Sequence, residues 1–245
     1  MALANITMLA PSGVTGTVQM PDGTSATVAA DGTISVSPIF RDALEAAGWV
    51  LMRSHAMYWS SAGTTIAAAS AANTIASVTM TNGGLTVNAQ PVPMRPVDFV
   101  IGGNTAAMTG NLAVVYVAND GSTQTDNLSL AIAAGSAGVA GATLHLTKCV
   151  AVLSTATVTG LNATIGSPFV YAGTTAAIGV PVPQGCSITS LTALKEMDQA
   201  GYQVTSTDQG ANIGTFSATV LGAFTPHTSP STSVGYQLYY SFLSP

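Results

Sequence analysis

Charge is what this chain has least of. Ten acidic and five basic side chains stand among 245 residues, 6% in all, against about a quarter in an ordinary soluble protein. Its surface must therefore be built from Ser, Thr, Asn, Gln, Gly and exposed backbone, which suits contact with other protein. The basic residues, Arg41, Arg53, Arg95, Lys148 and Lys195, lie far apart in sequence, and the net charge is -5. No nucleic-acid partner is expected, because a phosphate backbone demands clustered Lys and Arg. Cysteine is nearly absent too. Cys149 and Cys186 cannot make a disulfide framework, nor a zinc site by themselves, and they read as small buried hydrophobes. Long apolar runs are missing: the 47% hydrophobic content is largely Ala and Val dispersed among Thr, Ser and Gly. The strongest run, Leu112 to Ala118, is far short of the roughly 20 residues of a transmembrane helix, so no membrane is expected. The first residues carry neither the basic nor the full apolar segment of a secretory signal. The chain reads as cytoplasmic until assembled, and the sequons at Asn5, Asn127 and Asn162 as chance in a Thr-rich sequence.

Motifs that carry chemistry are lacking as well. There is no Gly-x-Ser-x-Gly elbow, P-loop, dinucleotide fingerprint or His-Glu-x-x-His pair. His55, His145 and His227 have no companion motif. In "LHLTKCVAVL" His145 and Cys149 share one face of a strand, but positions i and i+4 are then about 13 Å apart, too far for proton transfer. Asp22, Asp31 and Asp120 each precede Gly and read as turn formers, while Asp42 and Glu45 sit in the first turns of a predicted helix, where they complement its dipole. Few carboxylates remain for the pair a glycosidase needs, about 5 to 10 Å apart. "ANDGSTQTDN" gathers Asn119, Asp120, Thr123, Asp126 and Asn127, oxygen donors dense enough to raise calcium. The EF-hand Glu is missing, and the stretch reads as a solvated hairpin loop. Gly135, Gly138 and Gly141 lack the Lys and helix of a phosphate cradle and read as a flexible connection. The expectation is a protein without catalytic, metal or cofactor-binding residues and without a cofactor.

What is present is alternation. Val14–Met20, Ser25–Ala29 and Thr33–Val36 read as three short strands joined at two Asp-Gly turns. In "SPIFRDALEAAGW", Ser37 stands as N-cap, Pro38 at the first helical position, Phe40, Leu44 and Ala47 on one face, and Gly48 at the stop. This makes residues 1–50 a small meander-plus-helix module. Residues 51–73 read as a linker or as an apolar docking segment around Trp49, Met52, Met57, Tyr58 and Trp59. From 74 to 245 the period is β nearly throughout. Strands are expected at Leu112–Val117, Leu128–Ile132, Leu144–Leu153, Phe169–Tyr171, Gly201–Thr205, Thr215–Leu221 and Val234–Leu243, with one helical interruption in "SLTALKEMDQAG". The fold expected is mainly β: the small module followed by a larger antiparallel sandwich or jelly-roll-like domain. The C-terminal strand, apolar on both faces, reads as a core strand or as one buried against a neighbouring subunit.

The run "MPDGTSATVAADGTISVSPIFRDALEAAGW" resembles a small module of tailed-bacteriophage structural proteins, in which a "DGT" hairpin repeat precedes a short helix ending in Ala-Gly-aromatic, here Ala47-Gly48-Trp49. The resemblance covers about a fifth of the chain and implies a component of the virion. On that reading the protein decorates or caps the capsid through protein-protein contacts. Its partners are copies of itself, as a trimer, and the major capsid protein or other virion proteins. Two other classes stay open. One is a tail or fibre component whose Tyr58, Trp59, Tyr171, Tyr236, Tyr239 and Tyr240 stack on a host-surface glycan; the other is a bacterial surface-layer or adhesin domain.

Overall fold

A computed structural model describes residues 4–29, 32–60, 70–162, 166–197, 214–226 and 235–244, except for the side chains of 54–56, 58–60, 70–73 and 189–197. Asp31, His227, Asp198, Asp208 and the strand expected at Gly201–Thr205 lie outside the described residues, as do the side chains of His55, Tyr58, Trp59, Lys195 and Glu196.

The Asp-Gly turns form where the sequence puts them. Strands β2 (Thr17–Gln19) and β3 (Ser25–Thr27) are joined by a turn in which Met20 N–H donates to Thr24 O and Gly23 N–H to Met20 O. Gly23 has φ +84° and Gly32, in the matching turn before β4 (Thr33–Val36), has φ +81°. Only glycine adopts that conformation without strain, which accounts for both Asp-Gly pairs. β4 then finds a partner the sequence did not offer: β1 (Ile6–Leu9), antiparallel, with Met8 opposite Ile34. A 3-10 turn (Pro38–Phe40) leads into helix α1 (Arg41–Ala46), whose Leu44 is buried. Ser37 is extended as an N-cap should be, but its hydroxyl makes no cap bond.

Residues 51–60, read as linker, are instead strand: β5 (Val50–Ser60) pairs with β1, Thr7 opposite Met52. Trp49 packs with Met8, Met20, Ile34, Val36 and Leu44 in a small core, which removes it from any docking surface. This first unit holds residues 1–57 with 185–190 and 241–245. In it β5, β1 and β4 lie side by side in one sheet; strand β15 is Ser187–Met197 and β18 is Gly235–Ser244. The helix expected in "SLTALKEMDQAG" is strand as far as Met197. Leu, Ala, Lys and Glu favour a helix only by tenths of a kcal/mol per residue, and sheet pairing overrides so small a preference.

The second unit, residues 58–184 and 191–240, contains eight strands in two four-stranded sheets. These are β6 (Ser70–Thr79), β7 (Gly83–Leu85), β8 (Val97–Asn104), β9 (Asn111–Ala118), β10 (Thr123–Ser129), β11 (Ala140–His145), β12 (Val150–Thr159) and β13 (Gly166–Thr174). The pairing is nested: β6 with β13, β7 with β12, β8 with β11, β9 with β10, all antiparallel. This is one long hairpin rolled up, and the two orders β11-β8-β13-β6 and β10-β9-β12-β7 are those of a jelly roll. The fold is thus mainly β with an antiparallel sandwich. Its core is filled from both sheets by Phe99, Ile101, Leu112, Val114, Val158 and Val170, each 0% exposed, and each such side chain stabilises by about 1.5–3 kcal/mol. A small sheet of β14 (Ile178–Gly179), β17 (Ala223–Pro226) and β16 (Gly214–Phe216) completes the unit. Here the rings of Phe216, Phe224 and Tyr240 pack at centroid distances of 5.3 and 6.2 Å.

Candidate functional site

The ionisable groups singled out in the sequence mostly form internal contacts. The single strand expected over Leu144–Leu153 is two strands, β11 ending at His145 and β12 beginning at Val150. Cys149 is fully buried, and burial pushes its thiol up to about 12, so it carries no thiolate at neutral pH. His145 faces outward and its Nδ1 lies 2.8 Å from Asp98 Oδ1, directly across the β11–β8 ladder. The histidine is matched with a carboxylate 47 residues away, a pairing that no local spacing announces.

The oxygen-rich stretch is not one loop. The turn is confined to residues 119–122, and Asp126 and Asn127 belong to β10. The two carboxylates form separate networks. Asp120, whose side chain is 1% exposed, accepts from Lys148 Nζ at 2.7 Å, from Ser122 N–H at 2.9 Å and from the Ser122 hydroxyl. Burial works to raise its pKa, but Lys148 and Ser122 outweigh that and hold it below the usual carboxylate range. An ammonium already occupies the place that a bound cation would need. Asp126 Oδ2 accepts from the Tyr116 hydroxyl at 3.0 Å and from Thr147 N–H at 2.8 Å, fastening the β9–β10 hairpin to the segment before β12. Desolvation, with smaller help from Asp126, pushes Tyr116 up to about 12. Among the described residues no three His, Cys, Asp or Glu gather as metal ligands. The Gly135–Gly141 connection is tied at both ends: Gly135 N–H donates to Asn104 O and Gly103 N–H to Val139 O, while Asn104 Nδ2 reaches Ala106 O and Ala133 O.

The jelly roll presents two outer sheet faces of different chemistry. On β13, β8 and β11 the outward rows read Tyr171–Val100–Thr143 and Gly173–Asp98–His145. Half-buried Phe169 and Tyr171 have rings 6.0 Å apart and within 6° of parallel. On β10, β9 and β12 the outward rows read Thr123–Val117–Val152, Thr125–Val115–Thr155, Asn127–Ala113–Thr157 and Ser129–Asn111–Thr159. Not one of these twelve residues is ionisable. Matched against protein-family models, curated proteins and solved structures, the chain finds no counterpart.

Of the aromatic residues offered for glycan stacking, Tyr236 and Tyr240 are buried, and the Tyr240 hydroxyl donates to Pro181 O. Tyr239 is half-buried and Tyr171 stands on the outer face with Phe169. Sequence reading missed the uncharged face. Alternation in "NLAVVYVA" marks one strand, but the lateral rows exist only once β10 and β12 flank β9. No helix among the described residues is long and apolar enough to cross a membrane.

Proposed function

We propose that the protein is a structural component of a virion, decorating or capping a bacteriophage capsid through contacts with copies of itself and with the major capsid protein or other virion proteins. The observation that carries this is the outer β10-β9-β12 face: a sheet surface with no ionisable group, on a chain whose Asp98, Asp120 and Asp126 are bonded internally. Copies set densely around a shell repel one another when strongly charged, whereas a Thr/Val surface meets a neighbour without that cost. The double-sheet jelly roll suits such a role, although fold alone does not assign it. The "DGT" hairpins and short helix, with Ile39 70% exposed beside them, supply the unit we assign to anchoring. The deciding experiment is an image of the particle with this chain's density located. Density on the head is expected; density at the tail tip, or none on any particle, refutes the assignment.

One observation favours a second reading, a tail or fibre component that binds a host glycan: the parallel Phe169 and Tyr171 rings on the opposite sheet face. Binding of host polysaccharide that is lost in Tyr171→Ala, with the label at the tail, selects it.

A further inference from the structure

We infer that the β10-β9-β12 face is where a second copy of this chain docks, an inference that rests on the self-association in the proposed function and names its surface. The central strand presents Ala113, Val115 and Val117, with Val152 beside them, as an apolar stripe. Rows of hydroxyls and amides flank it on both sides: Thr123, Thr125, Asn127 and Ser129 on β10, and Thr155, Thr157 and Thr159 on β12. An apolar, charge-depleted centre with a polar rim is the anatomy of a protein interface. The β10 residues of that rim are exposed, and Val152 is 46% exposed, so among the described residues none covers the face.

Charge selects the occupant. A partner recognised by ion pairs needs a complementary sign, and this face has none to offer. The chain carries a net charge of -5, so two copies approach with least repulsion through a surface that has no ions. The same face on both copies brings the apolar stripes together and leaves hydroxyls to pair around them, as sheets pack face to face about 10 Å apart. Four rows on three strands cover roughly 400 Å² of sheet plane, about half of the ~800 Å² per partner of a standard interface. The pairing is accordingly weak in dilute solution and holds where copies are concentrated.

The test is light scattering and sedimentation of the full chain over a concentration series, comparing wild type with Val115→Lys and Thr125→Lys. Thr143→Lys, on the outer face of the other sheet, serves as control. Lysine on an outward position of an edge strand is well tolerated, so Thr125→Lys keeps the test alive should Val115→Lys fail to fold. We expect the dissociation constant to rise at least about a hundredfold in both face variants, because like charges are brought together in a dry contact, and to stay unchanged in Thr143→Lys. Wild-type association should also persist at about 1 M salt, where charge effects are screened to about 3 Å. A wild type that oligomerises identically to both face variants overturns the assignment of this surface while leaving self-association intact. A wild type that stays monomeric throughout overturns both.

Discussion

Raising the pH should unfold the jelly-roll unit in a defined window. Burial pushes Tyr116 and Tyr240 up to about 12 from 10.0, and Cys149 up to about 12 from 9.0. Their residues are 0%, 1% and 0% exposed. The folded state keeps these protons over a range in which the unfolded chain has released them, so it binds more protons and stability falls as pH rises. At 1.36 kcal/mol per unit, each tyrosine accounts for at most about 3 kcal/mol and the cysteine for at most about 4 kcal/mol. The stabilisation is fully present below about pH 9, begins to decline there through the thiol and from about 10 through the phenols, and is gone by about 12. The total rivals the entire 5–15 kcal/mol of a typical domain. Urea midpoints followed by circular dichroism between neutral pH and pH 11 measure it, alongside phenolate absorbance of the native protein. Of the seven tyrosines, at least two should resist ionisation until the fold is lost. Tyr116→Phe should lose about 1 kcal/mol at neutral pH, from its bond to Asp126, and should show a shallower alkaline decline. A midpoint flat to pH 11, or seven tyrosines titrating together near 10 in a protein still folded, would refute the burial argument.

Two further outcomes follow from close contacts. A Cβ on Gly102 would lie 2.1 Å from Val139 O and 2.6 Å from Ala140 Cα. Both are backbone atoms that cannot rotate away, so Gly102→Ala should cost about 3 kcal/mol or more. Gly84→Ala meets nothing within 4 Å and should change the urea midpoint little; equal effects would show that crowding is not the cause. Gln90 uses its carboxamide as a strand does its backbone: Nε2 donates to Leu153 O at 3.1 Å and Oε1 accepts from Leu153 N–H at 2.7 Å. This is where β12 is bulged between Leu153 and Thr155. Gln90→Leu should cost about 1 kcal/mol and speed hydrogen exchange of the Leu153 amide, and an unchanged exchange rate would remove the clamp from the account.

Local chemistry was legible and long-range pairing was not. The Asp-Gly turns, β4 at Thr33–Val36, the helix before Gly48 and the alternation of β9 each follow from a few adjacent residues. Strand β8 is not announced locally: it follows "PVPMRP", whose prolines fix an extended passage, and Gly102 and Gly103 dilute its apolar run, yet it is a central strand of its sheet. β15 was misread because Leu191, Leu194 and Lys195 fall at helical spacing, and spacing says nothing of a waiting sheet partner. The boundary of β10 slipped because Asn and Asp in "TQTDNLS" suggest turn, whereas Asp126 is tied to Tyr116 and Thr147 from within the strand. The candidate surface was the least legible of all, since its rows combine residues from three strands up to 48 positions apart, such as Asn111 and Thr159.

The scarcity of charge and the neutral face have one physical root. A protein must satisfy the polar groups at its bulges, loop ends and sheet edges, and many chains recruit ions for this. Here amides do it. Gln90 pairs with Leu153, Asn104 ties Ala106 and Ala133, Asn119 Nδ2 reaches Val180 O at 2.6 Å, and Asn162 accepts from Thr109 N–H while donating to Ala107 O. Gln90 and Asn162 use both donor and acceptor, as a peptide group does, and so stand in for a missing ladder partner without the desolvation penalty of an ion. Once amides hold the irregular backbone, the few carboxylates can sit in enclosed pairs such as Asp120–Lys148. The outer strands are left to Thr and Val, whose β-branched side chains favour the sheet. The uncharged β10-β9-β12 face is then a consequence of how the interior is closed, and the same economy that stabilises one copy leaves it able to lie against the next.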